Sequence, residues 1–242
     1  MIYIEQPPFL PWLAVCEAML ACDVVALYDD VQYEDGGWQN RNRIKTRAGV
    51  QWVTVPVTKK HGQPIRDVRI ADAFDPTALL RTLQMAYGRT AFYAETMTVL
   101  TPPLLAGHTL LADLNADVLR HLRDALGASC ELRRTSSMPV PATGRIERII
   151  AVCRHTGQTT LWAGSGTRGY LDTDTVDSAG ITVRWNDYYA RHPVYPQTWA
   201  RNGFIPALSV VDAACNLGWA DLRTRLLSDF GRYRTRLIGA PA

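Results

Sequence analysis

The sequence predicts an α/β fold: a Rossmann-like, mostly parallel sheet flanked by helices and arranged in two lobes. Three observations carry this. The chain opens strand–helix–strand, with MIYIEQ, the helical run Leu13–Cys22 and then VVALYDD. The same alternation returns later, where the amphipathic RIERIIAVCRHTG precedes QTTLWAG and ITVRWNDY. The 242 residues are 47% hydrophobic and 20% charged, globular values that exclude disorder, collagen and coiled coil.

Taken in order, residues 1–6 form the first strand. Pro7, Pro8 and Pro11 then stiffen a loop that carries Phe9 and Trp12. Asp23 ends the first helix, and the second strand closes in Tyr28-Asp29-Asp30. The stretch VQYEDGGWQNRNRIKT reads as a polar loop, VQWVTVPV as an alternating strand and residues 59–64 as a turn. Residues 75–100 and 109–126 read as helices, the second stopped by Gly127. The Ser-, Thr- and Pro-rich segment 133–144 reads as a linker between an N-terminal α/β lobe (1–132) and a C-terminal one (145–242). In the second lobe, residues 206–229 form a helix broken at Gly218.

The inventory narrows the chemistry. With 26 Lys+Arg against 23 Asp+Glu the net charge is +3, and arginine is dispersed, so no nucleic-acid footprint stands out. The one dense cluster, Arg41, Arg43, Lys45 and Arg47, reads either as a solvated turn or as an anion site. Five cysteines, an odd number with no CxxC pair, argue against a disulfide framework or zinc ribbon and suit a reducing cytoplasm. No signal peptide is visible, and the longest apolar stretch is interrupted by Glu17 and Asp23, so no membrane association is expected. Neither GxGxxG nor GxxxxGK[ST] follows the first strand. Pyridoxal chemistry is disfavoured because Lys45, Lys59 and Lys60 all lie in polar stretches. No residues have metal-ligand spacing, and no cofactor or metal is expected.

Four constellations carry candidate chemistry. Asp29, Asp30, Gln32, Trp38, Asn40, Arg41 and Asn42 follow the second strand, at the strand end where α/β folds place ligands. Alternation turns only one of the two aspartates toward a site; capping and Asx turns are the structural alternatives. Gly164-Ser165-Gly166 with Arg168 and Tyr170 forms a glycine-containing loop after a strand, able to offer backbone N–H groups to an anion. His192-Pro193-Val194-Tyr195-Pro196-Gln197 is a proline-stiffened loop, and His192 is the best acid–base candidate of five histidines; a hydrogen-bonded structural histidine is the alternative. Ser209 and Asp212, with Asn216 one turn later, read as a capping start whose face could close a pocket against the His192 loop.

QPPFLPW, YDDVQYEDGGWQNRNRI, WVTVPV, RIERIIAVCRHTG, LWAGSGTRGYLD, AGITVRW, HPVYPQ and FIPALSVVDAACNLG together resemble the WbqC-like family over nearly the whole chain. The resemblance implies an α/β protein associated with O-antigen and related amino-sugar glycan biosynthesis. Two departures stand out. The opening motif has Phe9, Leu10 and Trp12 where the family carries an aromatic-rich QPxYFPYxGY pattern, and Cys215 replaces a bulky apolar residue. These departures suit a specialised pathway instead of O-antigen itself. Gln6, in the first motif, joins the expected substrate-binding set.

The expectation is a transferase moving an acyl or aminoacyl group onto an amine of an amino sugar or small amino metabolite. Its partners would be that small-molecule substrate and an activated donor: a carrier protein, coenzyme A or an aminoacyl-tRNA. His192 or Asp30 would deprotonate the amine and Ser165 with its neighbouring backbone would bind the oxyanion. Gln6, Asp29, Gln32, Trp38, Asn40, Arg41, Asn42, Tyr170, Tyr195, Gln197, Ser209 and Asp212 would bind substrate. The alternatives are a serine-dependent hydrolase or condensing enzyme, and a non-catalytic scaffold of a biosynthetic complex.

Overall fold

Residues 1–141 and 144–238 are described by a computed structural model. Five strands form one sheet in which every pairing is parallel: β1 (Ile2–Glu5), β2 (Val24–Leu27), β7 (Glu131–Arg134), β8 (Thr160–Gly164) and β9 (Thr182–Asn186). Their order across the sheet is β7-β2-β1-β8-β9, so counted among themselves in chain order they lie 3-2-1-4-5. This is the doubly wound order of Rossmann folds, with its switch point between β1 and β8.

Both faces of the sheet are covered, as a parallel sheet requires. Alternation along the strands sorts the side chains. Ile2, Val24, Ala26, Leu161 and Ala163 pack on α5 (Arg145–His155) and α6 (Thr173–Ser178). Tyr3, Val25, Leu27 and Trp162 belong to the larger core. That core takes in α1 (Leu13–Ala21), α2 (Pro76–Tyr87), α3 (Tyr93–Leu105), α4 (Leu111–Ala125) and α7 (Val210–Ile238). Each fully buried aliphatic side chain in these layers contributes about 1.5–3 kcal/mol.

Helix α1 is apolar nearly all round, and Leu13 to Met19 are all buried. Glu17 is therefore forced into the interior, where Arg191 meets both of its carboxylate oxygens. Burial pushes the Glu17 pKa up, and the Arg191 guanidinium holds it back. Helix α7 breaks at Gly218, whose φ of 75° and ψ of 164° lie outside the helical region. A side chain there would also meet the Phe92 ring at 2.7 Å, so packing and backbone both require glycine.

The elements differ from the sequence expectation in four places. Part of the polar loop is strand β3 (Arg41–Thr46), which pairs antiparallel with β4 (Gly49–Thr54) in a separate hairpin. A small two-stranded piece, β5 (Val57–Thr58) with β6 (Arg69–Ile70), follows it. The helix expected over 75–100 is two, because α2 stops at Gly88 and α3 starts afresh at Tyr93. Segment 133–144 opens inside the sheet, since Arg133 and Arg134 belong to β7, and the one sheet draws strands from both sides of it. Residues 142 and 143 of that segment, and 239–242, lie outside the described residues. Among the described residues no helix is long and apolar enough to cross a membrane.

Candidate functional site

At the carboxyl ends of β1 and β8 the sheet leaves a crevice of about 700 Å³, at the switch point where doubly wound folds bind ligands. It is assembled from four segments. β1 supplies Ile4, Glu5 and Gln6, and the turn after β2 supplies Tyr28, Val31, Gln32 and Glu34. The first turn of α5 supplies Arg145 and Arg148, and the loop after β8 supplies Gly164, Gly166, Thr167 and Tyr170.

Local sequence explains each placement. A helix following a parallel strand starts at the carboxyl edge, so the N-terminal turn of α5 brings its partial positive charge to the crevice. Arg145 and Arg148, three apart, share one helical face. Arg145 stacks on the Tyr170 ring at 4.4 Å, and Arg148 lies 5.6 Å from the Tyr28 ring centre. Gly164 and Gly166 have ordinary backbone angles; a side chain added at Gly166 would meet nothing within 4 Å. Neither strain nor packing calls for glycine there, so its effect is to leave the crevice open.

Glu5 is the carboxylate in this space with an altered titration. Tyr3 Oη–H donates to its Oε2 at 2.6 Å, two residues back along the strand. Burial pushes the Glu5 pKa above its ordinary value, while the bonds from the Tyr3 hydroxyl and the Gln6 backbone act against the rise. Burial also raises Tyr28 and Tyr170, with the neighbouring arginines opposing it. The crevice is thus lined both by a carboxyl group with a raised pKa and by two guanidinium groups, one of them paired with Asp30.

The expected site residues divide sharply. Gln6, Gln32 and Tyr170 line the crevice. Ser165 stands exposed between two glycines that line it, in a short 3-10 turn over Ser165–Thr167. Asp29 is fully buried, accepting from Arg134 Nε at 2.6 Å, Ser136 Oγ at 2.8 Å and Ser136 N at 2.9 Å. Asp30 accepts from Thr135 Oγ1 at 2.7 Å and pairs with Arg148. It therefore holds a crevice arginine in place and is not a bare base. Asn40 donates to Val55 O and Asn42 to Leu10 O, both buried and both pinning backbone. Arg41 donates to Gly36 O and stacks 4.4 Å over Trp52, whose ring lies 5.4 Å from half-exposed Trp38.

The His192 loop is engaged internally. Its Nδ1 lies 2.9 Å from Pro193 O, and its Nε2 accepts from Ala207 N–H at 3.1 Å. That pattern fixes a neutral Nδ1–H tautomer with no lone pair left for a substrate. Burial also lowers its pKa, favouring the neutral ring. Tyr195 donates to Asp212 at 2.8 Å. Gln197 bonds Ile205 through both ends and accepts from buried Lys45. Ser209 caps α7 by accepting from Val211 N–H, and Asn216 holds Thr198 N–H. The predicted meeting of Asp212 and Asn216 with this loop is real, but it closes as packing. Of the basic cluster, Arg43 donates to Ala207 O and Lys45 is fully buried, so the four cations do not converge on one anion.

Sequence reasoning missed Glu5, Tyr28, Arg145 and Arg148. A signal existed for Glu5, which ends the first strand as Asp29 and Asp30 follow the second. Among the described residues no group of three or more His, Cys, Asp and Glu side chains stands together as a metal-ligand set. All five cysteines are free and buried, and burial pushes the Cys153 and Cys215 thiols up to about 12.

The chain is 35% identical over 220 residues to the uncharacterized protein Rv1507c of Mycobacterium tuberculosis, a match covering 90% of this chain and 94% of that one. No solved structure matches it. The WbqC-like protein family matches residues 6–224, which take in the crevice lining from Gln6 onward, and the chain belongs to that family.

Proposed function

We propose that this protein is a biosynthetic transferase that moves an acyl or aminoacyl group onto an amine, in the switch-point crevice, with Glu5 as the proton acceptor. The observation that supports it best is that Glu5 lines the same crevice as Arg145 and Arg148. A carboxylate whose pKa is raised toward neutrality is a better base than an ordinary one. In this reading the amine nitrogen attacks the donor carbonyl carbon and the C–N bond forms. The bond to the donor's leaving thiol or hydroxyl breaks, and the amine proton passes to Glu5 and on to that leaving group. Arg145, Arg148 and the start of α5 hold an anionic part of one substrate. Gln6 and Gln32 orient its polar groups. The substrate would be an amino sugar or small amino metabolite, and the donor a thioester or ester on a carrier protein, coenzyme A or tRNA. Five free thiols fit a cytoplasmic setting. The serine-nucleophile alternative lacks support, because His192 already holds two backbone groups.

The test is turnover of the purified protein with a panel of acyl-coenzyme A thioesters and amino sugars, followed by mass spectrometry for the amide. Glu5→Gln should cut turnover by about 10²–10⁴ while Glu5→Asp keeps a larger fraction, and the wild-type rate should rise with pH through the raised Glu5 pKa. Equal rates in the wild type and Glu5→Gln would sink the assignment.

A further inference from the structure

A second cleft, of about 840 Å³, opens where the β3–β4 hairpin tip, the C-terminal end of α2 and residues 198–202 meet. Arg47, Arg89 and Arg201 line it, and among the described residues no aspartate or glutamate does. These three come from segments far apart in the chain, so their convergence is a product of the fold and not of one solvated helix face. Among the described residues none of the three guanidinium groups is ion-paired. Some exposed arginines elsewhere stand beside carboxylates, as Arg81 does with Asp75, Arg168 with Asp187 and Arg225 with Asp221, while others such as Arg69 and Arg184 stand singly among the described residues; here three meet around one space. Three like charges around one concave space repel, and a bound anion relieves that repulsion.

The walls are built before any ligand arrives. Trp199 Nε1–H donates to Ala86 O at 2.9 Å, and Asn202 Nδ2–H donates to Thr46 O at 2.9 Å. Trp199 itself sits in the left-handed region, φ 58° and ψ 51°, a conformation a bulky residue keeps only when its surroundings enforce it. Met85 is 82% exposed, an apolar and adaptable side chain beside the arginines. The cleft has the volume of a small-molecule site. Its cations number three, too few and too local for a long nucleic-acid track.

We propose that this cleft binds a nucleoside di- or triphosphate, its phosphates on Arg47, Arg89 and Arg201 and its base against Met85 and Trp199. The assignment is independent of the Glu5 reading. Calorimetric titration of the full chain with ATP tests it, at low and at physiological salt. We expect saturable binding of one ATP per chain, weakened at least tenfold by the R47Q/R89Q/R201Q triple variant and by added salt. AMP should bind at least tenfold more weakly than ATP. All three arginines are exposed, so the triple variant keeps its fold, as circular dichroism will check. The proposal is overturned if the triple variant binds ATP as tightly as wild type, or if ATP binding is lost instead in the R145Q/R148Q crevice variant. It is equally overturned if inorganic tripolyphosphate binds as tightly as ATP, or if a twelve-residue oligothymidylate binds where ATP does not.

Discussion

Two regions of this molecule are rich in the residue types that chemistry uses, and they treat them in opposite ways. Around the 192–212 segment, His192, Tyr195, Gln197, Lys45, Asp212 and Asn216 are bonded to one another or to backbone. At the switch-point crevice, Glu5, Gln32, Arg145 and Tyr170 line an open space. A polar side chain inside a protein is costly unless it is hydrogen-bonded, so the first region is a set of staples that hold a proline-stiffened loop on the core. Polar groups lining a concave space at the sheet's carboxyl edge remain available to a ligand. The same inventory therefore stabilises in one place and is free to recognise in the other.

Changes that separate the two roles sharpen this contrast. Glu5→Gln should have the largest effect, a loss of about 10²–10⁴ in turnover, the usual range for a removed general base, with thermal stability unchanged or raised. Lys45→Met should do the reverse. It strips the charged donor from Gln197 Oε1 and Gly203 O in the interior and should lower unfolding stability by about 3 kcal/mol in a urea titration. If Lys45→Met instead left stability intact and removed turnover, the contrast would break.

His192→Asn should cost less, about 2 kcal/mol, because it frees two backbone groups. Its pH dependence has a definite sign. The folded-state pKa is lowered below the ordinary 6.5, so the imidazole stays neutral in the native state while the unfolded chain takes up a proton first. The stability tied to His192 is fully present above that value and is lost as pH falls through the folded pKa. The gap between wild type and His192→Asn in denaturant midpoints should therefore narrow below neutrality; a gap that widened would mean the histidine is charged in the fold. The smallest effect is expected from Trp38→Ala, under about 1 kcal/mol, since the ring is half exposed and stacks only on its neighbours.

Much of the architecture was legible because local patterns are sufficient for it. The strand–helix–strand opening and the later alternation specify a Rossmann-like parallel sheet, and the sheet is parallel throughout; its strand order comes from the structure. The candidate site was half legible. Of the carboxylates at the strands' carboxyl ends, Glu5 on β1 lines the open crevice and Asp29 after β2 is buried away from it. The difference is that Asp29 meets Arg134 and Ser136, more than a hundred residues later in the chain. Asp30 is held in the same way by Arg148. Periodicity describes which way a residue points, and it is silent about which distant residue arrives to bond it. His192 was misread for that reason, since Ala207 occupies the nitrogen a substrate would need.

The central position of β1 also bears on how the chain is made. One edge of this strand pairs with residues 24–27, available almost at once, but the other pairs with Leu161 and Trp162. On the ribosome β1 must therefore wait for about 160 further residues of synthesis with the backbone N–H and C=O groups of one edge unpaired. An open edge of that kind invites another strand, so nascent chains cut short before β8 should be clients of chaperones and prone to aggregate. Supplying residues 144–238 in trans should rescue the fragment 1–141.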